Sequence, residues 1–169
     1  GANTLIGLDG EDSIYGDAGA DSIEGGAGSD ILYGGADDDS LAGGSGEDTL
    51  YGDAGNDTIE TYFGNDTVYG GDGADSVYDI ALDLVYGGAG DDTLTGVSSG
   101  NAGDRLYGDA GADSIDGGNG NDILYGGTDN DSLVGGSGDD TLYGGAGNDT
   151  IDSRHARDTV YGGDGADSI

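Results

Sequence analysis

The chain has 169 residues, 41 of them Gly, and carries no Pro, Cys, Met or Trp; 36 Asp and Glu stand against three Arg, for a formal net charge of -33. Zero Cys excludes disulfides and thiolate metal sites, the absence of Pro and of a G-X-Y period excludes collagen, and no apolar run approaches the ~20 residues of a membrane helix. So acidic a chain is a poor partner for nucleic acid or an anionic membrane, and its natural partner is a cation, in many copies.

From Gly10 the chain reads as consecutive nine-residue units: GEDSIYGDA, GADSIEGGA, GSDILYGGA, DDDSLAGGS, GEDTLYGDA, GNDTIETYF, GNDTVYGGD and GADSVYDIA. Each puts Asp third, Ser or Thr usually next, then one aliphatic residue. That aliphatic series is Leu5, Ile14, Ile23, Leu32, Leu41, Leu50, Ile59, Val68 and Val77, resuming as Val85, Leu94, Leu106, Ile115, Leu124, Leu133, Leu142, Ile151, Val160 and Ile169. An irregular junction, residues 78–106, holds two slips of phase. DIALD (79–83) shortens one unit and GVSSGNAGD (96–104) lengthens another by three residues. After it, residues 107–169 repeat residues 15–77 without gaps, about three quarters of the positions being identical. The first residues show no secretory leader pattern, and both ends fall inside a repeat, so residues 1–169 are expected to be one segment of a longer array.

A helix does not fit, because Gly recurs two to four times per unit at about 1 kcal/mol each in a helix interior and the apolar residue follows no 3.6-residue stripe. Three-residue strands such as Thr49-Leu50-Tyr51 fit better, the middle side chain pointing in and its neighbours out. Gly-rich turns of about six residues would join them. Strand, turn, strand and turn make a coil of about 18 residues, and stacked coils make two parallel sheets around a thin aliphatic layer. One buried aliphatic side chain contributes roughly 1.5–3 kcal/mol, while ordering each backbone residue costs about 1–2 kcal/mol. Stacked Asp columns add repulsion. A divalent cation between turns reverses the sign of that last contribution. Oxygen ligands without His or Cys favour a hard ion, and flexible loops favour Ca²⁺ over Mg²⁺.

Eight segments match GGxGxD: GGAGSD at 25–30, GGSGED at 43–48, GGDGAD at 70–75, GGAGDD at 87–92, GGNGND at 117–122, GGSGDD at 135–140, GGAGND at 144–149 and GGDGAD at 162–167. In this the chain resembles the RTX (repeats-in-toxin) family, with its GGxGxDxUx calcium-binding nonapeptides. The resemblance covers nearly the whole sequence. It implies an all-β, right-handed parallel β-roll solenoid of two parallel sheets with about 18 residues per coil. It also implies type I secretion to the extracellular medium or cell surface, with folding delayed until Ca²⁺ is met. Multiple Ca²⁺ ions would be held by turn carbonyls and by Asp12, Asp21, Asp30, Asp39, Asp48, Asp57, Asp75, Asp92, Asp113, Asp122, Asp131, Asp140, Asp149 and Asp167.

Alternate units fall on opposite edges of such a roll. One edge carries Asp21, Asp39, Asp57, Asp75, Asp92, Asp113, Asp131, Asp149 and Asp167 without a gap. Extra Asp in its GDAGAD, GGADDD and GDAGND turns either adds a ligand or faces water. The other edge is irregular at TYFGND (61–66), DIALD, GVSSGNAGD and SRHARD (153–158). Its column therefore includes Asp66, Asp83, Asp104 and Asp158 at turns that lack early glycines, and ions are expected to be missing there. Arg154, His155 and Arg157 lie in SRHARD, and Arg105 follows GVSSGNAGD. They mark either a docking or catalytic site or, the preferred reading, positive charge where a cation is absent.

The faces differ too. Tyr15, Tyr33, Tyr51, Tyr69, Tyr86, Tyr107, Tyr125, Tyr143 and Tyr161 share one outward column, either a self-stacking ladder or a surface for self-association. A Ser/Thr column on the opposite face is too irregular for an ice-binding surface. One His and no Cys leave little for nucleophilic or His-metal chemistry, and no Lys means no P-loop, so the chain is expected to be no enzyme. The expected role is a calcium-dependent structural module of a secreted bacterial cell-surface protein, of S-layer, filament or adhesin type. The alternative is an accessory domain of a type I-secreted enzyme or toxin that aids export and calcium-triggered folding.

Overall fold

A computed structural model describes residues 1–79, 81, 83–97 and 103–169. Among these, eighteen short strands follow one another. They are β1 (Thr4–Asp9), β2 (Ser13–Tyr15), β3 (Ser22–Ala27), β4 (Ile31–Ala36), β5 (Ser40–Ser45), β6 (Thr49–Ala54), β7 (Thr58–Phe63), β8 (Thr67–Asp72), β9 (Ser76–Asp79), β10 (Leu84–Ala89), β11 (Thr93–Gly96), β12 (Arg105–Ala110), β13 (Ser114–Asp116), β14 (Ile123–Thr128), β15 (Ser132–Val134), β16 (Thr141–Ala146), β17 (Thr150–Asp152) and β18 (Thr159–Asp164). No helix occurs among the described residues.

The odd strands form one nine-stranded sheet and the even strands another, and every named pairing is parallel, as in β4 on β6 and β5 on β7. Leu32 lies beside Leu50, and Leu41 beside Ile59, so successive coils repeat every 18 residues. The chain is a parallel β-solenoid of about nine coils. Its core is the expected aliphatic series. Ile23 through Ile151 are buried, Leu5, Ile14 and Val160 pack against them less completely, and Ile169 lies exposed at the open end.

Strand length departs from the three residues expected. Most strands run to six, because the turn backbone stacks in register as well. The β4–β6 ladder, for example, continues past Tyr33↔Tyr51 to Gly35↔Asp53 and Ala36↔Ala54. Gly is required where coils come closest. Gly88 sits at φ 114°, and a Cβ there would meet the carbonyl oxygen of Gly71 in the coil before.

The two slips of phase leave the sheets unbroken. β10 pairs with β8 on one side and β12 on the other, Val85 lying between Val68 and Leu106. The coil repeat is 17 residues on one side and 21 on the other, so the missing and extra residues are absorbed in turns. Part of the DIALD and GVSSGNAGD turns (80, 82 and 98–102) lies outside the described residues.

Since each coil places only two aliphatic side chains in the core, truncating one is expected to be felt fully. Leu124→Ala should lower stability by about 2–5 kcal/mol, read from equilibrium unfolding of the folded roll, whereas Thr141→Ala on the outer face should change it by less than about 0.5 kcal/mol.

Candidate metal centres along the two edges

The third-place aspartates stack along both edges, and each reaches back to the coil before it. On one edge the Asp21 amide donates to Asp39 Oδ1 at 2.7 Å, Asp39 to Asp57 at 2.7 Å and Asp57 to Asp75 at 2.8 Å. The series continues through Asp92, Asp113, Asp131, Asp149 and Asp167. The other column, Asp12, Asp30, Asp48, Asp66, Asp83, Asp104, Asp122, Asp140 and Asp158, is linked the same way without a gap. Its irregular turns therefore do not interrupt the line of acids.

The second oxygen of these carboxylates is left over. Oδ2 of Asp12, Asp21, Asp30, Asp39, Asp48, Asp57, Asp75, Asp92, Asp113, Asp122, Asp131, Asp140 and Asp149 is buried without a hydrogen-bond partner, and so are Oδ2 of Asp66, Asp79 and Asp83. Asp167, in the end coil, is only half-buried. A buried, unpartnered carboxylate oxygen is costly, and here the cost recurs in coil after coil.

These oxygens do not stand alone. Where a Cβ on Gly34 would lie, Asp39 Oδ2 is 2.6 Å away and the Gly52 carbonyl oxygen of the next coil 2.8 Å away; at Gly25 the same point is 2.6 Å from both Asp30 Oδ2 and the Gly43 carbonyl. The missing side chain of the first turn glycine thus lets a carboxylate and a backbone oxygen converge from adjacent coils. Among the described residues no three His, Cys, Asp or Glu side chains gather at one point. A cation would therefore be held by one or two carboxylates completed by backbone oxygens. That donor set, oxygen alone on a Gly-rich turn, fits Ca²⁺.

Burial is the main reason these carboxyls rise above their ordinary range, and neighbouring carboxylates add to it, against backbone hydrogen bonds that favour the charged form. Asp57 and Asp131 are pushed up to about 6, and Asp66, Asp92 and Asp122 to about 7. Asp79, buried beside Asp83 and Asp104, is raised further still.

The remaining candidates fall elsewhere. Asp17, Asp37, Asp53 and Asp109, the extra turn acids, hold positive φ of 71–81° and are exposed, so they serve turn geometry and face water. Arg154 pairs with Asp152 (3.5 Å) and Arg157 with Asp139 (3.1 Å), both at the surface. These partners are outer acids rather than members of the buried column, so the guanidiniums do not stand in for a cation among the stacked aspartates. His155 is exposed, its amide donating to the Gly136 carbonyl.

A second ladder lies outside the first. The Asn56 amide donates to Asp38 Oδ1 and the Ala74 amide to Asn56 Oδ1, both at 2.8 Å; Asn130 and Asn148 serve the following coils likewise. These bonds run opposite in direction to the aspartate ladder. Their sequence signal is the frequency of Asn and Asp at the fifth turn place.

The family model for RTX calcium-binding nonapeptide repeats matches residues 1–32, 15–50, 25–59, 51–78, 82–97, 98–133, 125–154 and 134–169. The comparison with curated proteins gave no match. The chain belongs to the RTX calcium-binding repeat family, and its repeats imply Ca²⁺ binding.

Protons and cations compete for the same oxygens. In the metal-free roll the raised values mean that protonation favours the fold. That stability is fully present below the unfolded carboxylate range of about 4 and is lost as pH rises through 6–7. Metal-stripped chain is therefore expected to be unfolded at neutral pH and to regain part of its β signal in far-UV circular dichroism as pH falls towards 4. A β spectrum at neutral pH that is the same with and without Ca²⁺ would contradict this.

Proposed function

We propose that this RTX chain is a calcium-dependent structural module of a secreted bacterial cell-surface protein, of the S-layer, filament or adhesin kind. Asp12, Asp21, Asp30, Asp39, Asp48, Asp57, Asp75, Asp92, Asp113, Asp122, Asp131, Asp140, Asp149 and Asp167 hold Ca²⁺ with turn carbonyls. The ions join adjacent coils, and the chain itself performs no catalysis. Folding then awaits a compartment rich in Ca²⁺, which suits a chain exported unfolded.

The observation that carries the structural role is the outer face of the even-numbered sheet. Nine tyrosines stack along it with ring centroids 4.6–5.2 Å apart and planes within 17° of parallel. The companion outward column is Ser13, Ile31, Thr49, Thr67, Leu84, Arg105, Ile123, Thr141 and Thr159. Arg105 is the one charge in either column. The opposite face carries Glu24, Glu60, Asp116 and Asp152 at the tyrosine-equivalent place. Two copies of a chain with net charge -33 repel wherever acids meet, and this strip is where they meet least. The other reading, an accessory domain of an exported enzyme or toxin, uses the same calcium-triggered folding but assigns the tyrosine strip no role.

Light scattering during a Ca²⁺ titration tests the association. Wild-type chain should scatter more as it folds, while a variant with Tyr33, Tyr51, Tyr125 and Tyr143 replaced by Ser should fold at similar Ca²⁺ and lose most of the increase. Unchanged scattering in that variant would leave the ladder as a stiffener of its own sheet.

A further inference from the structure

The DIALD turn breaks the repeat in a specific way. Its first place, Gly in the regular turns, is Asp79, and the motif acid follows at Asp83 after one residue fewer. At the regular turns that first place is where a carboxylate Oδ2 and a carbonyl of the next coil converge; at Gly96, one coil further along the same edge, they are Asp104 Oδ2 at 2.6 Å and the Gly117 carbonyl at 2.7 Å from the would-be Cβ. Asp79 puts a carboxylate of its own into that position.

Both carboxylates at this turn are closed off from water, Asp79 being 0% and Asp83 4% exposed. Each spends one oxygen on the backbone: Asp79 Oδ1 accepts from the Ala81 amide at 3.0 Å and Asp83 Oδ1 from the Asp66 amide at 2.7 Å. Each keeps Oδ2 buried with no backbone or cationic partner, the two carboxyls standing within hydrogen-bonding reach of each other when one carries a proton. Asp104, fully buried, follows directly in the column, its Oδ1 accepting from the Asp83 amide at 3.2 Å. The ion pairs of Arg154 with Asp152 and of Arg157 with Asp139 lie elsewhere. Asp79 and Asp83, buried side by side, cannot both stay charged without a counter-charge.

We propose that the junction binds a hard divalent cation between Asp79 and Asp83, in a site where a side-chain carboxylate takes over a place that turn glycine and carbonyls fill elsewhere. The loss of glycine that marks this turn as irregular is then a change of ligand. The assignment rests on the calcium reading of the roll but adds an ion at a turn where the motif predicts none. Carboxylate oxygens without nitrogen or sulfur suit a hard cation such as Ca²⁺ or a lanthanide of similar size.

Equilibrium dialysis of the full chain against Ca²⁺ counts bound ions. Asp79→Asn should bind one ion fewer than wild type while keeping its Ca²⁺-induced β spectrum. An unchanged ion count with the fold intact would overturn the proposal and leave Asp79 and Asp83 as an acid pair sharing a proton. If the variant does not fold, wild-type crystals grown with Tb³⁺ decide. Anomalous density between the Asp79 and Asp83 carboxylates supports the site; density along the Asp21–Asp149 edge with none at Asp79 overturns it while sparing the calcium reading. Absence of density on both edges would overturn both.

Discussion

Each coil sets one carboxylate per edge beside the carboxylate of the next, under a surface that keeps water out. Two charges one coil apart, about 4.8 Å, repel by roughly 3–4 kcal/mol at an effective dielectric constant near 20. Each buried aliphatic side chain contributes about 1.5–3 kcal/mol, and there is one per nine residues. Hydrophobic burial therefore cannot outweigh the columns while they are charged. The coil stack depends on neutralising them, by protons, as the raised pKa values of Asp66, Asp92 and Asp122 express, or by cations.

The turn geometry follows from that requirement. Oδ1 of each aspartate is committed to the amide one coil back, which fixes the side chain and sets the register. Oδ2 is then directed at the first turn glycine, where a carbonyl of the next coil arrives. The outer ladder of Asp38, Asn56, Asn130 and Asn148 holds the same register with bonds running the other way. With both ladders in place, turns can lose a residue or gain several and the sheets still continue, as they do from β8 through β10 to β12.

The faces are freer than the edges, because nothing in the metal geometry dictates what points outward. One face spends this freedom on acids and Ser/Thr, the other on a row of phenols that cover one another. Ring stacking at the coil spacing removes ring faces from water and leaves edges and hydroxyls outward. The ladder is most bent between Tyr86 and Tyr107, 17° from parallel, where the GVSSGNAGD insertion enters.

The nine-residue period by itself determined the β-solenoid, its aliphatic core, the two aspartate columns and the tyrosine column, since each is a residue type recurring at a fixed place and stacking turns such places into lines. The oxygen-only chemistry of the turns likewise pointed to calcium before any geometry was known. Strand length escaped, because six-residue strands arise from turn backbone pairing with turn backbone, which no local propensity encodes. So did the depth of burial along the irregular edge. Missing glycines at 61–66 and 79–83 read as damage, yet tertiary stacking buries Asp66, Asp79 and Asp83 there as fully as their regular counterparts and leaves an oxygen of each unpartnered. The arginines of SRHARD read as cations for the column, and the structure places them on outer acids instead. Which oxygen is buried, and what it faces, depends on the coil above and the coil below, a relation between residues 17 to 21 apart that a motif read along the chain does not contain.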